Sequence, residues 1–156
     1  MKATISVLVL CAVLQACAAF DWKQCEGAAG KINDVKLDPE SPSPGTTVTF
    51  SVDATVEDEV DSGDLGLSVS YRGFPIYTET KDLCKQTDCP VKKGPVKVDL
   101  EQPFPIITPP GPYTVRLTAS DKEGDKKQLF CLDVNFDVVS QAQQRLQREE
   151  QHILIQ

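Results

Sequence analysis

Val48-Thr49-Phe50-Ser51-Val52-Asp53-Ala54-Thr55-Val56 alternates apolar and polar side chains over nine positions. That period of two is the pattern of a β-strand with one face buried and one face wet. Three further series repeat it. Leu65, Leu67, Val69 and Tyr71 alternate with Gly66, Ser68 and Ser70; Tyr113, Val115, Leu117 and Ala119 alternate with Thr114, Arg116 and Thr118. Phe130, Leu132, Val134, Phe136 and Val138 alternate with Cys131, Asp133, Asn135 and Asp137. Shorter runs at Val35 to Leu37, Phe74 to Thr78 and Val96 to Leu100 bring the expected strands to about seven. Turn-forming clusters separate them: SPSPG, EDEVDSGD, YRG, KKG, PPGP and DKEGDK. Short antiparallel strands at this spacing predict an all-β fold, an Ig-like sandwich of two sheets.

Composition agrees and narrows the function. The 156 residues suit one globular domain, with 40% hydrophobic residues for a core. Eleven prolines and nine glycines disfavour a helix bundle. With 16 Lys+Arg against 23 Asp+Glu, a net charge of −7, no stretch can track a phosphate backbone, so no nucleic-acid partner is expected. The single histidine, His152, lies near the C-terminus and removes most His-based catalytic and metal schemes. No Gly-rich phosphate loop and no N-x-S/T glycosylation site occur.

The first residues read as a secretory leader. Lys2 provides the positive end, Ile5 to Leu14 the apolar run, and Ala16-Cys17-Ala18 the small residues before cleavage. Ten apolar residues span roughly 15 Å as a helix, half of a bilayer core. Residues 1–19 are therefore expected to be removed, and the chain to be secreted or delivered to the lumen of an endosome, lysosome or vacuole. Four cysteines then remain: Cys25, Cys84, Cys89 and Cys131. In an oxidising compartment they read as two disulfides, for which three connectivities exist. Cys84 and Cys89 suit a bridge pinching a short loop, which leaves Cys25 for Cys131. Cys131 lies in the phase opposite Phe130, Leu132 and Val134. If those three face the interior, the Cys25 segment has to approach across the outer face or edge of that sheet.

Three strings together resemble one family: SPSPGTTVTFSVDA at 41–54, YRGFPIYTETKDLCKQTDCPVKKG at 71–94 and PPGPYTVRLTASDKEGDKKQLFCLDVNF at 109–136. The chain is similar to the ML domain, the MD-2-related lipid-recognition family. That family includes sterol carriers of Niemann-Pick C2 type, mite group 2 allergens and phosphatidylglycerol/phosphatidylinositol transfer proteins. The likeness covers residues 21–139 and is most specific at the C-x4-C-P loop, the PPG-x-Y strand start and the F-C ending. SPSPGTT stands where Niemann-Pick C2-type members carry a third, early disulfide. The resemblance implies a sandwich whose sheets splay apart, so that a lipid cavity lies between them. It places the ML lipid-binding domain at 20–139 and leaves 140–156 as a polar C-terminal extension.

The residues themselves offer partial support. Phe74-Pro75-Ile76-Tyr77 and Pro103 to Pro110 put apolar side chains into segments expected to connect strands, where exposed apolar patches invite association. Carried over by position, the resemblance implies cavity walls of Val48, Phe50, Val52, Leu67, Val69, Tyr71, Val115, Leu117, Phe130, Leu132, Val134 and Phe136. It implies a rim of Phe74, Ile76, Phe104, Ile106 and Ile107. Arg72, Lys81 and Lys92 or Lys93 are candidates for an anionic head group near the mouth. Each enclosed methylene contributes about 0.8 kcal/mol, so ten would gain roughly 8 kcal/mol before ordering costs.

The acidic stretch Glu57 to Asp64 lacks the register of a calcium loop and reads as a solvated hairpin connection. SQAQQRLQREEQHILIQ at 140–156 tolerates helix but offers only a thin stripe of Ala142, Leu146 and Ile153, and reads as a frayed helix or disordered extension. No enzyme, metal or cofactor is expected. The expected partners are a sterol or phospholipid ligand, a membrane touched transiently, and a protein acceptor or receptor, with the chain acting as a monomer.

Overall fold

The computed structural model describes residues 20–122 and 127–154. The leader at 1–19 lies outside the described residues. Eight strands follow in order: β1 (Phe20–Gln24), β2 (Lys31–Asp38), β3 (Thr47–Val56), β4 (Gly63–Tyr71), β5 (Phe74–Asp82), β6 (Gly94–Pro103), β7 (Gly111–Asp121) and β8 (Gln128–Val138). They form a five-stranded sheet in the order β1-β8-β7-β4-β5 and a three-stranded sheet in the order β2-β3-β6, with every pairing antiparallel. All seven expected strands are present. The additional one is β1, five residues too short and polar to give a period.

The alternating series does what its chemistry requires. Val48, Phe50, Val52, Ala54 and Val56 of β3 are buried, as are Tyr113, Val115, Leu117 and Ala119 of β7. The inner faces of both sheets merge into one apolar cluster. Phe50 of the small sheet meets Phe136 of the large one at a ring-centroid distance of 6.0 Å.

One side of the sandwich is closed by several ties. The Gln24 side chain spans from β1 to the other sheet, its Nε2 donating to the Gly30 carbonyl at 2.7 Å and its Oε1 accepting from the Ile32 N–H at 2.9 Å. Cys25 is bonded to Cys131, and its N–H donates to the Cys131 carbonyl at 3.0 Å. The leading segment thus lies along the edge of β8, where the phase of Cys131 requires it. Gly30 is needed here, because a Cβ would stand 2.4 Å from the Leu129 carbonyl oxygen and 2.7 Å from that of Thr55.

Cys84 and Cys89 form the short bridge. The acidic connection before β4 is not a hairpin: β3 and β4 belong to different sheets. It crosses between layers and is held by paired backbone bonds between Val60 and Val91, both 2.8 Å. Asp58 within it is paired with Lys127, which lowers the carboxyl pKa and raises that of the ammonium.

After β8 the chain forms helix α1 (Gln141–Leu154) rather than a disordered tail. A capping box starts it: Ser140 Oγ accepts from the Gln143 N–H at 3.3 Å, and Gln143 Oε1 accepts from the Ser140 N–H at 3.0 Å. The Val139 N–H donates to the Pro42 carbonyl at 2.8 Å, which ties the helix base to the sandwich. Leu146 and Ile153 are exposed, and no described helix is long and apolar enough to cross a membrane.

Candidate functional site

The sheet edges β5 and β6 face each other on the side opposite Gln24, and between them opens a cleft of about 330 Å³. Val69 and Tyr77 line it from the large sheet; Gln102, Pro103, Phe104 and Pro105 line it from the small one. The backbone of β5 explains how Tyr77 comes to line the cleft. Arg72 and Gly73 have φ of 50° and 83°, the left-handed pair of a tight hairpin turn, so β5 folds straight back on β4. The register then shifts between Val69 and Ser70: Tyr71 pairs with Phe74, Ser70 with Pro75, and Val69 with Tyr77. Ile76 is the extra residue of this bulge. Phe74 and Tyr77 consequently share the face of Tyr71 and Val69 although they are three residues apart.

Phe104 forms the floor of the cleft. It is 5% exposed and stands edge-on to Tyr113 (5.6 Å, 86°) and Phe136 (5.9 Å, 78°). Its backbone is clamped on both sides, the N–H donating to the Thr46 carbonyl and the carbonyl accepting from the Gly45 N–H, each at 2.9 Å. Tyr113 donates its hydroxyl to the Pro109 carbonyl at 2.9 Å, and burial pushes its phenol pKa up. Tyr71 packs on Tyr113 at 4.9 Å and donates to the Pro110 carbonyl at 3.2 Å. The proline-rich segment is thereby fixed to β7 and to the β4–β5 hairpin.

Across the cleft's edge, Lys81 Nζ of β5 donates to the Glu101 carbonyl of β6 at 3.0 Å and lies 3.6 Å from the Glu79 carboxylate. The Tyr77 hydroxyl donates to the same carboxylate at 3.0 Å, and that bond raises the phenol pKa.

Of the expected wall residues, Val48, Phe50, Val52, Leu67, Val69, Val115, Leu117, Phe130, Leu132, Val134 and Phe136 are all buried in the common core, and Tyr71 is half-buried against it. Val69 alone of these lines the cleft. Of the expected rim, Phe74, Ile76, Ile106 and Ile107 are exposed at 74%, 57%, 75% and 85%, whereas Phe104 is not a rim residue. The clamps to Thr46 and Gly45 draw it inward past the end of β6. Phe74 and Ile76 belong to a strand rather than a loop. Lys92 and Lys93 line a separate groove together with Lys97, away from this cleft, and Arg72 holds its guanidinium 5.3 Å from the Tyr71 ring. Sequence reading missed Tyr77 and Gln102. For Gln102 the signal was available: Val96, Val98, Leu100 and Gln102 occupy one phase of β6, so the glutamine is an inward residue. Among the described residues no group of His, Cys, Asp and Glu could hold a metal ion.

The ML domain family model matches residues 19–138. The chain belongs to the ML domain family. It is a lipid-binding and lipid-transfer family rather than a catalytic one. A phosphatidylglycerol/phosphatidylinositol transfer protein from Neurospora crassa is 31% identical over 120 residues, 69% of this chain and 67% of its own. A Niemann-Pick type C2 protein from the Japanese carpenter ant superposes with a TM-score of 0.65 at 14% identity, over 76% of this chain and 99% of the other. Chicken MD-1, solved with lipid IVa, superposes with a TM-score of 0.54 at 17% identity, over 74% and 86%. These two structures share the sandwich fold with this ML domain.

Proposed function

We propose that this ML domain is a lipid carrier. It takes the apolar part of a sterol or phospholipid between its sheets, shields it from water, and releases it at another membrane. The observation that carries this reading is the apolar cleft between the β5 and β6 edges, on the side of the sandwich away from the Gln24 bonds that join the two sheets. The names of its relatives support it, as does the lipid solved with the MD-1 fold neighbour. Only shielding of hydrocarbon is required, and burial of about ten methylenes suffices for micromolar affinity or better. Phe74, Ile76, Ile106 and Ile107, exposed on β5 and on the segment that follows β6, make the transient membrane contact. The buried wall residues become the lining as the β5 and β6 edges part. Residues 20–139 form the carrier and 140–156 an extension of it. Residues 1–19 direct the chain into the secretory pathway, where both disulfides form.

The test is native mass spectrometry of the secreted protein with identification of extracted lipid, followed by transfer between donor and acceptor vesicles. A stoichiometric lipid and partner-free transfer are the expected results. A protein that carries no lipid and takes up neither fluorescent sterol nor fluorescent phospholipid refutes the carrier. Uptake without transfer until a protein acceptor is added would instead identify a lipid-presenting module.

A further inference from the structure

Among the described residues, Gln102 is the one buried side chain that leaves a hydrogen-bonding atom unsatisfied, and it lies in the lining of the cleft. It occupies the last inward position of β6, opposite Val48, and is 8% exposed. Its Nε2 donates to the Pro103 carbonyl at 3.2 Å. Its Oε1 is buried, and among the described residues no group donates to it. The amide orientation is set by chemistry, since the reverse would put two carbonyl oxygens against each other. A buried acceptor without a donor is costly, and an apolar residue of similar shape would remove the cost. Tyr77 carries the hydroxyl of the lining, and it already donates to Glu79.

The geometry points to Gln102 Oε1 as the polar anchor of the cleft, accepting a hydrogen bond from a hydroxyl group of the bound amphiphile. This deepens the carrier reading and rests on it. The ligand class it selects is an alcohol whose O–H sits where hydrocarbon gives way to head group: a free sterol, a diacylglycerol or a hydroxyl-bearing phospholipid. Esters and ethers of the same skeleton lack the donor. They would leave Oε1 unpaired and now covered by ligand as well. Recognition through a missing partner discriminates better than an apolar pocket discriminates a methylene.

The test uses two matched pairs of probes: cholesterol with its 3-O-methyl ether, and a 1,2-diacylglycerol with its 3-O-methyl ether. Each is assayed by displacement of a fluorescent lipid. The expected result is that wild-type protein binds the alcohol about tenfold more tightly than the ether in at least one pair, about 1.4 kcal/mol. Gln102→Leu and Gln102→Met abolish the difference while retaining the ether affinity, and thermal melts show both variants folded. Equal affinity for alcohol and ether in every pair that binds overturns the anchor and leaves the carrier standing. Discrimination that persists in both variants also overturns it, because the donor is then read elsewhere. Binding of none of the four probes overturns the alcohol anchor, and the carrier then stands or falls separately on uptake of fluorescent phospholipid.

Discussion

Truncating Phe104 to alanine tests whether the cleft floor belongs to the core. Phe104 is 5% exposed and touches Tyr113 and Phe136 in two edge-on ring contacts. Replacing a buried phenylalanine by alanine costs about 3–5 kcal/mol, of which the two aromatic contacts account for roughly 1–3. The clamps to Thr46 and Gly45 are backbone bonds and survive the substitution, so the loop cannot collapse to fill the space. The upper part of that range is therefore expected, about 4 kcal/mol. At about 3–4 °C per kcal/mol for a domain of this size, the melting temperature should fall by roughly 12–16 °C. The same change deepens the cleft, so a bulkier lipid should gain affinity relative to a slim one, measured with a sterol and a single-chain fatty acid. The assay is a thermal melt followed by circular dichroism, repeated with saturating ligand. A shift below about 3 °C would show that Phe104 does not brace the two sheets, and the placement of the cleft would fall with it.

Three further outcomes follow from the same geometry. Replacing Cys25 and Cys131 by alanine opens a loop with a sequence separation of 106, and replacing Cys84 and Cys89 opens one of 5. The chain-entropy relation gives losses of about 5 and about 2 kcal/mol, so urea midpoints should fall much further for the first pair. Lys81→Met removes the hydrogen bond from β5 to the Glu101 carbonyl and should cost about 1 kcal/mol or less while speeding exchange of a fluorescent ligand several-fold; an unchanged rate would show that the edge does not open there. Burial holds the Tyr113 phenol above its ordinary value of 10.0, so its contribution is complete below that pH and is lost as pH rises through the folded-state pKa. Tyr113→Phe should flatten the alkaline loss of stability, and an identical alkaline profile would show that another group governs it.

The sandwich was readable because a half-buried strand writes its burial into every second residue. Val48 to Val56 and Phe130 to Val138 each carried enough positions to set both phase and face. β1 was not readable, since its five residues carry only two apolar positions, Phe20 and Trp22, too few to set a period although both pack against the core. Sequence put Ile106 and Ile107 in one group with Phe104, whereas the first two are exposed and the third is buried. That distinction depends on where backbone carbonyls of a distant loop, at Gly45 and Thr46, catch the chain. The inward turn of Tyr77 depends on a bulge, which shifts the period by one and leaves no compositional trace. Gln102 is legible in the phase of β6, as the polar exception at the end of the inward series Val96, Val98 and Leu100.

The unequal fastening of the two sides of the sandwich links fold to function. At the β1–β2 side two side-chain bonds of Gln24 and the close packing of Gly30 between Leu129 and Thr55 join the two sheets, while the Cys25–Cys131 disulfide fastens the end of β1 to β8 within the large sheet. At the β5–β6 side one lysine bridges to a backbone carbonyl, and the apolar lining is open. A load that parts the sheets must therefore act about the first side as a hinge and open the second. Hydrocarbon entering there replaces core–core contact with core–ligand contact, so the interior remains apolar throughout, and the Glu101 carbonyl that loses Lys81 lies at the solvent-exposed edge. The sheet hydrogen bonds run within each layer and are untouched by the parting. The cost of opening is thus confined to packing and to the Lys81 tie. This is why a core filled in the free protein is compatible with a carrier, and why the acceptor oxygen of Gln102, at the last inward position of β6, is placed to be met by an entering hydroxyl.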